Sequence, residues 1–346
     1  MKQRLIIFGV IVLLGVGILS ACGGNQANVS APDQVEDNQT EIDSANSGEA
    51  AENSADDAAV EEPAPETAPA VEIVDALGTT VTFDVPAQRI VSLAPSVTEI
   101  LFAIGAGEQV VGREDFANYP DEAVALPSIG GTFGELNTEA ILVLEPDLVM
   151  VAPLTSAEQV QSLKDVGLTV FMLENPVTLA EMYDVLRTAA AITGHEAETE
   201  ELIVSLQERV AAVEGVIATA ETTPLVFYEL DSTEPSAPWT AGPDTFIDTL
   251  ITMAGGQNLA GEMTGEWVQV SSEELVARNP EVIILGDYIW GITPEMVAER
   301  AGWDAIDAVA NGRVYPFNDD LASRPGPRLV DGLEEMARLI HPELFE

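Results

Sequence analysis

The sequence predicts an α/β protein of two similar lobes with mainly parallel sheets, joined by a long rigid helix. Three observations carry that prediction. The first is an internal repeat: Glu139-Ala140-Ile141-Leu142-Val143-Leu144-Glu145-Pro146-Asp147-Leu148-Val149-Met150-Val151 matches Glu273-Glu274-Leu275-Val276-Ala277-Arg278-Asn279-Pro280-Glu281-Val282-Ile283-Ile284-Leu285 at a constant offset of 134 residues. Each copy reads as a short helix, a proline break, an acidic residue and a buried strand. Two further echoes keep the same order, Gly107–Gly112 with Gly256–Gly261 and Gly167–Phe171 with Gly312–Pro316. The second is the stretch from Thr178 to about Glu221, helical in pattern and broken once at Thr193-Gly194-His195. From Ala197 to Ala220 it holds no proline and a single glycine, Gly215, so the helix reaches about 36 Å and spans two lobes. The third is the alternation, on either side of that stretch, of short apolar runs with amphipathic segments, the signature of strand–helix–strand units.

Five segments follow in order: residues 1–22, 23–70, 71–177, 178–222 and 223–346. The first begins with the positive Lys2 and Arg4, continues as an apolar and glycine run from Leu5 to Leu19, and ends with Ser20 and Ala21 before Cys22, the only cysteine in the chain. That run spans about 22 Å, short of a roughly 30 Å hydrocarbon core, so it reads as an export signal with a cleavage site. Residues 23–70 hold no lysine, arginine or aromatic residue and are rich in Ala, Asn, Ser, Glu, Asp and Pro. Such a composition buries too little apolar surface to order itself and is expected to act as a flexible acidic tether.

In the N-terminal lobe Val71-Glu72-Ile73-Val74 and Thr80-Val81-Thr82-Phe83 form a hairpin about Ala76-Leu77-Gly78, and Arg89–Leu93 is a buried strand. Pro95-Ser96 opens a helix that runs to Ile104, with Ser96 and Glu99 spaced as a capping box. Acidic residues number 59 against 13 Lys plus Arg, a net charge of -46, which repels phosphate backbones and excludes nucleic acid as a partner. The chain has no Gly-x-Ser-x-Gly, P-loop, zincin or dinucleotide-glycine motif, and nothing singles out an acid–base pair among its carboxylates. Only His195, in the interhelical turn, and His341, near the C-terminus, are available as histidine ligands. Both read as surface or capping residues, so no bare-metal site and no cofactor is expected.

Leu19-Ser20-Ala21-Cys22 resembles the bacterial lipobox, in which the cysteine is lipidated and becomes the mature N-terminus. Arg89–Gly107, Glu145–Val149, Ala254–Leu259 and Arg324-Pro325-Gly326-Pro327-Arg328 resemble the substrate-binding proteins of ATP-driven (ABC) importers with a single helical linker, nearest to those for cobalamin and ferric siderophores. The resemblance implies an extracytoplasmic, lipid-anchored protein that is not an enzyme. It implies capture of a metal chelate (siderophore, corrinoid or haem) between the lobes and delivery to a permease dimer with its ATPase subunits. A non-transport chelate sensor, or an enzyme on the same fold, remains the alternative. By the same resemblance Glu139 and Glu273 are the permease-docking residues, one per lobe, although a first-turn carboxylate also complements the helix dipole. Phe116, Phe133 and Trp267 fall at ring-stacking positions, and Asp320 and Arg324 at polar contacts.

By residue type, Tyr119 and Trp239 join the expected ligand contacts, because aromatic residues are only 5% of the chain and these stand in loops. Each ring has core or interface packing as its alternative. Arg324 and Arg328, next to Asp320 in an otherwise acidic chain, are candidates for holding an anionic group. For Arg328 the alternative is a pairing with Asp331 or Asp319 that only fixes the loop.

Overall fold

The computed structural model describes residues 70–131 and 136–345, all within one compact unit. The export segment with Cys22, nearly all of the 23–70 stretch, and Phe133 lie outside the described residues. No helix among the described residues is long and apolar enough to cross a membrane.

The N-terminal lobe starts with the hairpin of β1 (Val71–Val74) and β2 (Thr80–Phe83), in register from Val71 opposite Phe83 to Val74 opposite Thr80. There follow β3 (Ile90–Ser92), α1 (Pro95–Ala103), β4 (Val110–Arg113), α2 (Asp121–Val124), α3 (Thr138–Val143), β5 (Leu148–Val151), α4 (Ala157–Asp165) and β6 (Val170–Met172). Two helices link the lobes, α5 (Leu179–Thr193) and α6 (Glu196–Ile217). The C-terminal lobe comprises β7 (Leu225–Glu229), β8 (Trp239–Ala241), α7 (Phe246–Met253), β9 (Gln257–Asn258), β10 (Trp267–Gln269), α8 (Ser272–Arg278), β11 (Val282–Leu285), α9 (Pro294–Ala298), α10 (Asp307–Ala310), β12 (Val314–Pro316), α11 (Asp320–Ser323) and α12 (Leu329–Ile340).

Each lobe holds a four-stranded parallel sheet, ordered β4-β3-β5-β6 in one and β9-β7-β11-β12 in the other. The sequence repeat is thus a structural repeat, because β5 shifted by the repeat offset is β11, and α3 starts where α8 starts. Strands β5 and β11 are buried at every position, which their unbroken Leu-Val-Met-Val and Val-Ile-Ile-Leu runs require of strands covered on both faces. One apolar cluster runs from α1 and β3 through α5 and α6 to α7 and α12. Separate clusters fill the outer faces of the two lobes.

Helix α5 starts with a full capping box of Thr178 and Glu181, and ends at Gly194 in the left-handed region, at φ +79, where a side chain would press on Pro86. Helix α6 then continues for 22 residues, about 33 Å. The expected capping box at α1 is absent. Its N-cap is Ala94, with no side-chain cap, and Pro95 occupies the first turn. Ser96 and Glu99 are both buried, and Glu99 faces the other lobe. His341 is also a correction: it follows α12 but is fully buried, with its ring nitrogens 3.1 Å from the Gly255 carbonyl and 3.0 Å from Glu343. His195 is half-buried in the interhelical turn, its Nδ1 3.0 Å from the Thr193 carbonyl.

Candidate functional site

In open α/β sheets ligands bind outside the carboxyl ends of the strands. Here the two sets of carboxyl ends face each other. Arg324, which ends α11, reaches the loop after β4: its Nη1 donates to Asn118 Oδ1 at 2.6 Å and its Nη2 to the Phe116 carbonyl at 3.2 Å. Nη1 also donates to Glu99 Oε1 at 2.9 Å, and Nη2 stands 2.8 Å from Asp320 Oδ1. Arg328, at the start of α12, grips Glu99 through Nε at 2.8 Å and Nη2 at 2.6 Å. Its guanidinium lies 4.1 Å from the centroid of the Tyr119 ring.

Glu99 is therefore a buried carboxylate from α1 held by two arginines of the opposite lobe. Sequence reasoning missed that role. The expected pairing of Arg328 with Asp331 or Asp319 is replaced by Glu99, while Asp331 pairs with Arg209 of α6 at 2.5 Å. Arg324, expected as a polar ligand contact, has two oxygen partners on each of its terminal nitrogens.

A cavity of about 500 Å³ opens at the carboxyl ends of the C-terminal sheet, lined by Leu230, Asp231, Ser232, Thr233, Asp287, Trp290, Ile292 and Asp319. Asp287 Oδ2 accepts from the Ser232 N–H at 3.1 Å and the Ser232 hydroxyl at 2.5 Å, while Oδ1 has no hydrogen-bond partner among the described residues. Burial first, then the nearby Glu229 carboxylate, lifts the Asp287 pKa from 3.8 to about 6. Burial also raises Asp319, despite its bonds to Ser323 and to the Tyr228 hydroxyl. Across the cleft, Glu114 at the end of β4 is buried and likewise raised, against the bond from the Phe116 N–H. Trp290 stands 75% exposed in the turn after β11. The only sequence signal for it was an aromatic pair, Tyr288 and Trp290, between Gly286 and Gly291.

Of the expected ring contacts, Phe116 is half-exposed beside Gly131, at the edge of the 132–135 segment. Tyr119 belongs to a second cavity of about 690 Å³, walled by α6 and the end of α1. Trp239 and Trp267 open the two strands of the β8–β10 ribbon, in which Trp267 is opposite Ala241 and Trp239 opposite Gln269. Both indoles thus share one ribbon face as diagonal neighbours, half-exposed. Trp239 also bridges to Asp231, so the ribbon adjoins the aspartate-lined cavity. Glu139 and Glu273 are exposed in the first turns of α3 and α8, which Asn137 and Ser271 cap by accepting from Ala140 and Glu274. Neither carboxylate forms an ion pair among the described residues.

Residues 90–321 match the profile of a periplasmic binding protein family. The chain is 34% identical over 281 residues to YvrC, an uncharacterized ABC transporter substrate-binding lipoprotein of Bacillus subtilis (strain 168), across 80% of this chain and 87% of that one. It is 30% identical over 274 residues to a cobalamin-binding protein of Halobacterium salinarum (strain ATCC 29341 / DSM 671 / R1), across 77% and 73% of the two chains. Among solved structures it resembles the periplasmic heme-binding protein RhuT from Roseiflexus sp. RS-1, with a TM-score of 0.67, 27% identity, and coverage of 75% of this chain and 99% of that one. With its repeated sheets, helical linker and facing strand ends, the chain belongs to the periplasmic binding protein family.

Proposed function

We propose that the protein is the extracytoplasmic solute-binding lipoprotein of an ABC importer, which captures a metal chelate between its lobes and delivers it to the permease without chemical turnover. The observation that supports this reading is the opposition of the two strand-end faces across the Arg324–Asn118 contact, with a half-open cavity beside Trp290 at the strand ends of the C-terminal sheet. The relatives are named for cobalamin and heme, both flat tetrapyrrole-type chelates, and exposed indoles suit such faces. Within this reading, residues 1–22 serve as signal and lipidation segment with Cys22 as anchor, and 23–70 as tether to the domain formed by segments 71–177, 178–222 and 223–346. Glu139 and Glu273, one per repeat, dock on two equivalent basic surfaces of a permease dimer.

Native mass spectrometry of the full chain against cyanocobalamin, cobinamide, haemin and ferric siderophores tests the proposal. A one-to-one complex with at least one chelate is expected, and Trp267→Ala is expected to weaken it by about 1–3 kcal/mol. Failure of every chelate to bind would overturn the reading.

A further inference from the structure

We infer that the cleft is built for a chelate of neutral or positive charge, whose cationic or hydrogen-bond-donating edge enters the C-terminal cavity, and not for a carboxylate- or catecholate-bearing anion. The inference deepens the chelate-binding reading above and rests on it. Three aspartates, Asp231, Asp287 and Asp319, line the cavity beside the exposed Trp290, and none of its lining residues is basic. Asp287 is almost wholly buried, and one of its oxygens lacks a hydrogen-bond donor among the described residues. A ligand amide or ammonium entering there meets carboxylate acceptors and no competing cation. An indole face next to carboxylates favours cations for the same electrostatic reason.

The arginines that an anion would need are already committed. Arg324 is shared among Glu99, Asp320, Asn118 and the Phe116 carbonyl, and Arg328 is held by Glu99. Arg300 makes a two-pronged pair with Glu229, whose side chain is fully buried. The three aspartates do not converge as a metal cage: among the described residues no group of three or more ligating side chains is placed to hold an ion. An anionic chelate would thus meet like charge and find each of these guanidinium groups occupied, a juxtaposition that suppresses binding.

Calorimetric titration of the full chain with four probes tests this. Diaquacobinamide and ferrioxamine B carry positive charge on unrelated chelate skeletons, whereas ferric enterobactin is a tris-catecholate anion and haemin carries two carboxylates. At least one cationic probe is expected to bind about tenfold or more tighter than either anion. Asp231→Asn and Asp287→Asn are each expected to weaken that probe by about tenfold, with no loss for the anions. Two variants are used because Asp287 is buried and Asp231 is only half-buried. An anion bound as tightly as the cations, or a cation indifferent to both substitutions, would overturn the charge inference while leaving chelate capture standing. Silence from these four probes and from neutral cyanocobalamin would remove both.

Discussion

Replacing Glu99 by glutamine keeps the shape of the side chain and removes its charge. The two guanidinium groups it holds are each only 12% exposed, and its own side chain is 1% exposed. Three donors reach it at 2.6–2.9 Å, two from Arg328 and one from Arg324. Asp320 remains to serve Arg324, but the described residues leave Arg328 no other carboxylate partner. Breaking one side of a buried ion pair costs about 3–5 kcal/mol, because the uncompensated charge stays desolvated. For a domain of this size, each kcal/mol moves the midpoint by roughly 2 °C, so a fall of about 6–10 °C is expected in calorimetric melts. Glu99→Met with Arg324→Met and Arg328→Met should lose far less, since an apolar replacement of the whole group removes the desolvation penalty along with the attraction. A loss below about 1 kcal/mol for Glu99→Gln would refute the reasoning and put the triad in the class of screened surface pairs.

Asp287 gives a pH signature. Its folded pKa of about 6 lies above the ordinary 3.8, so between these values the folded chain keeps a proton that the unfolded chain has released. Stability therefore falls as pH rises through that window, by on the order of 3 kcal/mol at the top of it. The difference in stability between Asp287→Asn and the parent, followed by denaturant melts from pH 4 to 7.5, should grow in favour of the variant and level off above pH 6; a pH-independent difference would contradict the burial argument. His341→Ala should cost about 1–3 kcal/mol in the same melts by emptying the fully buried imidazole site and leaving the half-buried Gly255 carbonyl without its partner, and an unchanged midpoint would contradict that burial.

Much of the fold was legible because the repeat is written in residues whose burial is obligatory. The Pro146 and Pro280 breaks precede strands that are apolar at every position, and those strands became equivalent centres of matched sheets. The linker helices were readable from periodicity and from Gly194, whose positive φ ends α5. The site was less legible, because its central contacts are between residues more than two hundred positions apart. Ser96 and Glu99 satisfy a local spacing rule, but the carboxylate gains more from two arginines of the far lobe than from one backbone N–H. The same distance hid the commitment of Arg324. Asp231, Asp287 and Asp319 were lost in a chain with 59 acidic residues, where only burial separates a cavity wall from a solvated face. His341 followed the same logic, since its burial comes from Gly255 on another element.

Transport is the most direct test of the central claim. The chain is incorporated with its permease and ATPase into vesicles, loaded with whichever chelate it binds, and delivery is measured alongside soluble affinity. Glu139→Arg combined with Glu273→Arg reverses two exposed charges, one on α3 and one on α8, that have no ion-pair partner among the described residues. Folding and chelate affinity should survive, while docking and uptake fail. Chelate held by the doubly reversed protein but not delivered is the predicted result; delivery at the parent rate would contradict the account.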